Sequence, residues 1–417
     1  MASTLAQIVD QHVEETAFLW LLRDAAVGAP HYTLDDLARL DERVEAHLDG
    51  LRETGGDGWT AIAAELQRHN EPGEVFAAAV LAFENGDPRR IAQMLEVGTT
   101  APRLSRALIS ALGWLPAKTA LSRLQPLLDS PNPAVCRVGI AAAAAHGQSA
   151  GSALDTALAH DDSRLRARAL RAVGEVGSTK RMAALHANLS NPDPACRFWA
   201  AWSAALLAPA DRDVTRALQA TVLDVPPLRA PALDMLMRRV DVAAAGAWLA
   251  NCATKPDVVR VAVSGFGALG DPAAVPRLIE LMKHPPLARL AGEAFSTITG
   301  VHIAYDKLEG VKPEGFEAGP TENAADENVA PDPDEHLAWP DAEKVAAWWT
   351  KHQGKFAAGT RYPLGKPITK ESLHDALRRG RQRHRAAAAL ELAIRDPGKP
   401  LFNVRARGAE QQRRLPM

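Results

Sequence analysis

An arginine recurs through the middle of this chain at a nearly constant interval. The positions are Arg106, Arg137, Arg168, Arg197, Arg229, Arg260 and Arg289, separated by 31, 31, 29, 32, 31 and 29 residues. A period of that length marks stacked supersecondary units, each touching only its neighbours. The context recurs with it. Most of these arginines follow a short turn bearing Pro or Asp, such as Asp161-Asp162, Asn191-Pro-Asp-Pro194 or Lys255-Pro-Asp257, and precede an Ala-rich apolar run. Each unit therefore reads as a helix, a tight turn and a second helix. Small residues in runs such as Ala169-Leu-Arg-Ala-Val-Gly174 allow helices to approach closely, and several runs stop at a glycine suited to a helix C-cap. Such a unit is too short to bury its own apolar faces, so the units must stack.

The pattern Asp-x-x-x-(Val/Leu)-Arg-x-x-Ala-x-x-Ala-(Leu/Val)-Gly resembles the short HEAT repeat, and the resemblance covers roughly residues 84–300. It implies an all-α fold: a right-handed α-solenoid of HEAT-like helical hairpins. Residues 1–83 are then an N-terminal helical region, 84–300 the repeats, 301–338 an acidic Pro-rich linker, and 339–417 a basic helical segment capping the last repeats. Function is implied less narrowly, because HEAT-like solenoids include scaffolds, adaptors, pigment lyases and DNA glycosylases.

With 417 residues, 47% apolar, and no apolar run near 18 residues, the sequence carries a long core and no membrane span. Met1-Ala-Ser-Thr-Leu5 lacks the basic and apolar regions of a secretory leader, so a cytoplasmic location is expected. Three cysteines without a Cys-x-x-Cys fit a reducing compartment, and Cys136 and Cys196 read as small core residues. The net charge of −2 hides polarity along the chain: −7 over residues 1–50, −9 over 301–350 and +11 over 351–417. Such asymmetry concerns partners more than fold.

The ladder arginines are read as structural, reaching back to the turn carboxylate and to carbonyls of the neighbouring unit. The alternative, an anion-binding stripe, would need them to face solvent. Leu19-Trp-Leu-Leu-Arg-Asp24 reads as a buried packing face, with partner docking as its alternative. Trp199 and Trp202 share a helix face, as core or as a docking site. Gly265-Phe-Gly-Ala-Leu-Gly270 satisfies G-x-G-x-x-G but ends a helix instead of following a strand, so its glycines pack and cap. No P-loop, H-E-x-x-H, G-x-S-x-G or metal cluster is spelled out, so no catalytic, cofactor or metal residue is assigned. Near the C-terminus, Trp348 or Trp349 is expected to be buried against the last repeats. Arg378, Arg379, Arg381, Arg383 and Arg385 are expected to face the acidic segment or a protein partner.

Phe18–Asp24, Leu40–Gly50, the repeats and Arg381–Ala393 together resemble a bacterial HEAT-repeat family of unassigned activity, encoded beside type VI secretion spike and effector components. The resemblance implies context and no catalytic residue. Two classes of function follow. The first is a non-catalytic protein-binding scaffold or adaptor, with a secretion cargo or spike component as its partner. The second is a nucleic-acid binder, glycosylase-like forms included, using the basic C-terminal segment. The near-neutral repeats supply no general excess of charge for the second.

Overall fold

A computed structural model describes residues 2–209, 211–321 and 330–415. Among these residues it contains twenty-three α-helices and no strand, only an isolated bridge between Glu309 and Pro340. In order they are α1 Ala2–Ala26, α2 Leu34–Glu53, α3 Gly56–Arg68, α4 Pro72–Asn85, α5 Pro88–Gly98, α6 Pro102–Trp114, α7 Ala117–Ser122, α8 Gln125–Leu128, α9 Pro133–Ala145, α10 Gly151–Leu158, α11 Ser163–Glu175, α12 Met182–Ala187 and α13 Pro194–Leu207. Then come α14 Arg212–Asp224, α15 Arg229–Met237, α16 Val242–Cys252, α17 Val259–Leu269, α18 Val275–Leu281, α19 Pro285–Thr299, α20 Ala342–His352, α21 Lys370–Arg379, α22 Gln382–Arg395 and α23 Gly408–Arg414. None is long and apolar enough to cross a membrane.

The turn signals act as helix caps. Thr33 and Asp36 form a reciprocal capping box at α2, and the side chains of Asn132, Asp162 and Asp193 accept from backbone N–H groups in the first turns of α9, α11 and α13. The turn carboxylate is thus engaged with its own helix, where the dipole also favours it.

The chain forms two compact units: Met1–Ala208 with Arg378–Met417, and Pro209–Leu377. In the first, the second helices α4, α6, α9, α11 and α13 stack in one layer, and α3, α5, α8, α10 and α12 pack against them. Helix α4 is almost wholly buried from Val75 to Phe83, which is why that run is apolar on all faces. Close approach uses the small residues. A Cβ at Gly174 would sit 3.0 Å from Ser203 Cα in the next helix. The Leu19–Asp24 stretch divides: Leu19 and Trp20 are buried, whereas Leu21, Leu22 and the preceding Phe18 are exposed.

Both chain ends build this unit. Gln382 N donates to Tyr32 O at 2.8 Å, and Gly408 N donates to Asp41 Oδ2 at 2.6 Å. Arg23, paired with the buried Asp41 at 2.8 Å, also donates from Nη2 to Ala406 O. Between α22 and α23 the chain is extended and runs past the carboxyl ends of α9 and α11, where Asn403 Nδ2 donates to Ala145 O and Leu401 N to Glu175 O.

In the second unit, α14–α19 continue the helical pairs. Gly265 and Gly267 lie against Leu233, Leu249 and Ala294, and Gly270 ends α17 at φ 75°, so this G-x-G-x-x-G packs and caps as its position requires. An extended return is used here too: Arg361 donates to Ala268 O and Leu269 O, Tyr362 N to Gly270 O and Leu364 N to Thr297 O.

Two expectations change. Residues 322–329 of the expected linker lie outside the described residues, but its end is docked. Asp332 pairs with Arg289 and Asp334 with Arg260, at 2.7 and 2.8 Å, and Arg289 lies over the Trp339 ring. The basic segment 339–417 is also not one cap: its part to Leu377 belongs with the last repeats, and the rest with the N-terminal unit. The physical reason is capping, since α9 and α11 present carbonyl ends that residues 401–403 satisfy.

Candidate binding surface

The arginine period conceals two structural positions. Arg197 donates to Asn191 O and Pro192 O at 2.6 and 2.8 Å, holding its own turn. Arg229 donates to Leu223 O in its own turn and to Asp257 O in the next. Arg260 reaches Pro286 O and Asp334, and Arg289 reaches Asp334 O and Asp332. These four form the ladder. In α11 the turn is instead held by Arg166, which donates to His160 O at 2.6 Å.

Arg106, Arg137 and Arg168 hold no turn. Contacts between adjacent second helices join residues roughly 31 apart, as Ser203 with Leu170, Gly174 with Ser203 and Arg171 with Trp199. Arg106, Arg137, Arg168 and Trp199 therefore share one level across α6, α9, α11 and α13. They form a ridge lying wholly in the first unit.

Each ridge arginine has a distinct surrounding. Arg106 donates to Asp24 Oδ1 at 2.9 Å, and Arg405 donates to the same oxygen at 2.5 Å. Burial and then the Arg106 charge push Arg405 down to about 10. Arg137 makes one hydrogen bond among the described residues, a long one of 3.3 Å to Ser105 Oγ. Its pKa is lowered by burial and next by Arg164. Arg168 donates to Glu175 at 2.6 Å, Arg171 to the other oxygen of Glu175 at 2.7 Å, and Arg171 lies 4.5 Å over the Trp199 ring. Burial alone would raise Glu175, but Arg168 and Arg171 outweigh it and hold the carboxyl below its usual range. Nη1 of Arg168 is buried with no hydrogen-bond partner. Four arginines thus share two carboxylates, two guanidiniums to each, and Arg137 bonds neither.

The other expected contact residues lie elsewhere. Trp202 is buried behind Trp199, the rings meeting edge to face at 5.5 Å. In the second unit, half-buried Trp348 packs edge-on against Phe295 and stacks on His352, and Trp349 leans on Phe356. Arg378 is half-buried and Arg379 exposed at the end of α21. Arg381, Arg383 and Arg385, at the start of α22, turn towards the protein. Arg381 and Arg383 donate to Pro30 O and Gly28 O. Arg385 is fully buried, donating to Gln382 and Gln411. Arg381 and Arg383 flank the start of α22 beside the α1–α2 loop and meet its carbonyls, whereas Arg385 lies on the buried face of α22 with Gln382, Ala388 and Ala389.

Arg166, Arg171, Arg405 and Glu175 were not singled out by the sequence. The spacing that joins Arg168 to Trp199 is legible in it, but a change of residue type breaks the arginine series there. Among curated proteins, none matches the chain. Residues 258–284, which span α17, its turn and α18, match the family model of the PBS lyase HEAT-like repeat, so the recurring helical pairs are HEAT-like and the fold they build is an all-α solenoid.

Proposed function

We propose that the chain is a non-catalytic scaffold that binds another protein through its HEAT-like repeats, and that this partner is a secretion cargo or spike component of a type VI system. One observation carries the binding reading: the ridge of the first unit holds donor capacity that the fold does not use. Half-buried Arg137 has one long hydrogen bond, and the accessible Arg106 and Arg171 keep N–H groups beyond those spent on Asp24 and Glu175. A partner that supplied carboxylates there would gain charge-assisted hydrogen bonds worth about 1.5–3 kcal/mol each. The secretion context is supported by the resemblance of Phe18–Asp24, Leu40–Gly50 and Arg381–Ala393 to the family encoded beside such components.

The test is affinity capture with the full chain from its own cells, followed by mass spectrometry and reconstitution of the pair from purified proteins. A defined protein retained after nuclease treatment, at fixed stoichiometry, is expected. Retention of nucleic acid alone would overturn the scaffold reading, and a reconstituted partner unrelated to secretion would overturn its context.

A further inference from the structure

Resting on the scaffold reading, we propose that the Arg106–Arg137–Arg168–Trp199 ridge holds an extended acidic segment of the partner protein, with Asp or Glu at about every third residue and an apolar side chain at Trp199.

The spacing comes from two rigid geometries. Packed helices lie about 8–10 Å apart, so one arginine per helix sets cationic stations at that interval. An extended chain of the polyproline II kind has three residues per turn and rises about 3.1 Å per residue, so every third side chain returns to the same face after about 9 Å. A peptide crossing α6, α9, α11 and α13 can therefore present one carboxylate per helix.

The chemistry at the stations is already that of carboxylate recognition. Asp24 occupies the Arg106 end and Glu175 the Arg168 end. A guanidinium carries five N–H donors in a planar fork that suits carboxylates bidentately. Sharing Asp24 between Arg106 and Arg405, and Glu175 between Arg168 and Arg171, leaves donors over on Arg106, Arg405 and Arg171, whereas the spare Nη1 of Arg168 is buried, so Arg171 serves the α11 station. Arg137, between the two ends, has no carboxylate at hydrogen-bonding distance, so the central station gains most from an incoming acid.

Nucleic acid fits less well. Binding to a phosphate backbone typically engages six to ten cationic contacts on a continuous array of charge. Here five arginines are interrupted by two carboxylates, which would repel an unbroken phosphate chain and which discrete acidic side chains can step past. Bases would also need an aromatic face to stack upon. Arg171 covers one face of Trp199, and Phe198 and Trp202 crowd the ring.

The experiment uses the full chain and fluorescence anisotropy with three labelled probes. One is a twelve-residue peptide with Asp at every third position; another is its isomer with the same Asp residues in one block; the last is a single-stranded twelve-nucleotide DNA. The spaced peptide should bind at least about tenfold tighter than the blocked one, a difference of about 1.4 kcal/mol, and should weaken as salt rises. Arg137→Gln should lose about tenfold with an unchanged melting temperature. Arg137→Lys, which keeps charge and loses the fork, should fall between. Arg197→Gln should bind the peptide as wild type does. Equal binding of the two isomers, or an Arg137→Gln protein that binds normally, overturns the proposal. So does tighter binding of the oligonucleotide that is lost in Arg137→Gln, which would give the ridge to nucleic acid. If Arg137→Gln still captures the native protein partner in full, the ridge inference fails and the scaffold reading stands.

Discussion

An arginine near the start of a helix can hold a turn or be left for a ligand, and in α11 two residues of offset separate Arg166, which holds the turn, from Arg168, which does not. Arg166 and Arg197 occupy the fourth positions of α11 and α13 and reach back to turn carbonyls. Arg137, at the fifth position of α9, points across to α6, and Arg168, at the sixth of α11, points along its own helix. Each residue turns the side chain by about 100° in a helix with 3.6 residues per turn. Replacing Arg197 with Ala strips two carbonyls of a charged donor and should lower stability by about 1–3 kcal/mol. Arg137→Ala gives up one long bond and should stay within about 0.5 kcal/mol of wild type. Arg385→Ala leaves Gln382 and Gln411 buried with unmet acceptors and should cost about 3 kcal/mol or more. Urea midpoints at constant slope measure all three, and an Arg137→Ala loss as large as that of Arg197→Ala would contradict the division into ladder and ridge.

At the scale of elements, an extended return segment finishes each stack by serving the carboxyl ends of second helices. Residues 401–403 do so for α9 and α11, and residues 361–364 for α17 and α19. Helix α22 anchors the first of these returns and carries His384, whose pKa falls to about 4 through burial and then through the charges of Arg381 and Arg383. A histidine with a depressed folded pKa favours folding when neutral. Its stabilisation is complete above its ordinary value near 6.5 and is lost as pH falls towards 4. Between pH 7 and pH 5 the wild-type chain should lose about 1–2 kcal/mol more than His384→Gln, read from urea midpoints at the two pH values. Parallel losses would show that His384 is not the titrating group. Depressed carboxyls such as Glu175 and Asp332 act in the same direction, but only below their ordinary range near 4.

Across the whole molecule, the two units have different origins in the chain: one is continuous over Pro209–Leu377 and the other joins both ends. Stacked repeats draw stability from nearest neighbours, so ending the chain at Leu377 should strike the first unit alone. The truncation removes the partners of the buried Arg23–Asp41 pair at Ala406 and Gly408 and uncovers the helix ends at Ala145 and Glu175. Thermal unfolding by circular dichroism should show the N-terminal half melting earlier than it does in the complete chain, whereas an isolated 209–377 fragment should melt as a cooperative helical protein. A truncated chain that melts like the complete one would remove the structural role of residues 378–417.

The amino-acid order by itself determined the helices, their caps and the stacking, because those follow from local periodicity and turn chemistry. Thr33 with Asp36, Gly270 at the end of α17 and the inter-helix fit of Gly174 were each readable from neighbours in the chain. It also showed Arg106, Arg137, Arg168 and Trp199 at one spacing. Only the tertiary structure decided which arginines hold turns and which form the ridge, since Arg137 and Arg289 share the fifth position of their helices and differ in the partners that distant chain brings, Asp332 and Asp334 for Arg289 alone. Nor could a net charge of +11 over residues 351–417 reveal that Arg381, Arg383 and Arg385 serve the α1–α2 loop and the buried glutamines. Their partners lie about 350 residues away or behind a later turn of chain, and no local pattern records a hydrogen bond made at that distance.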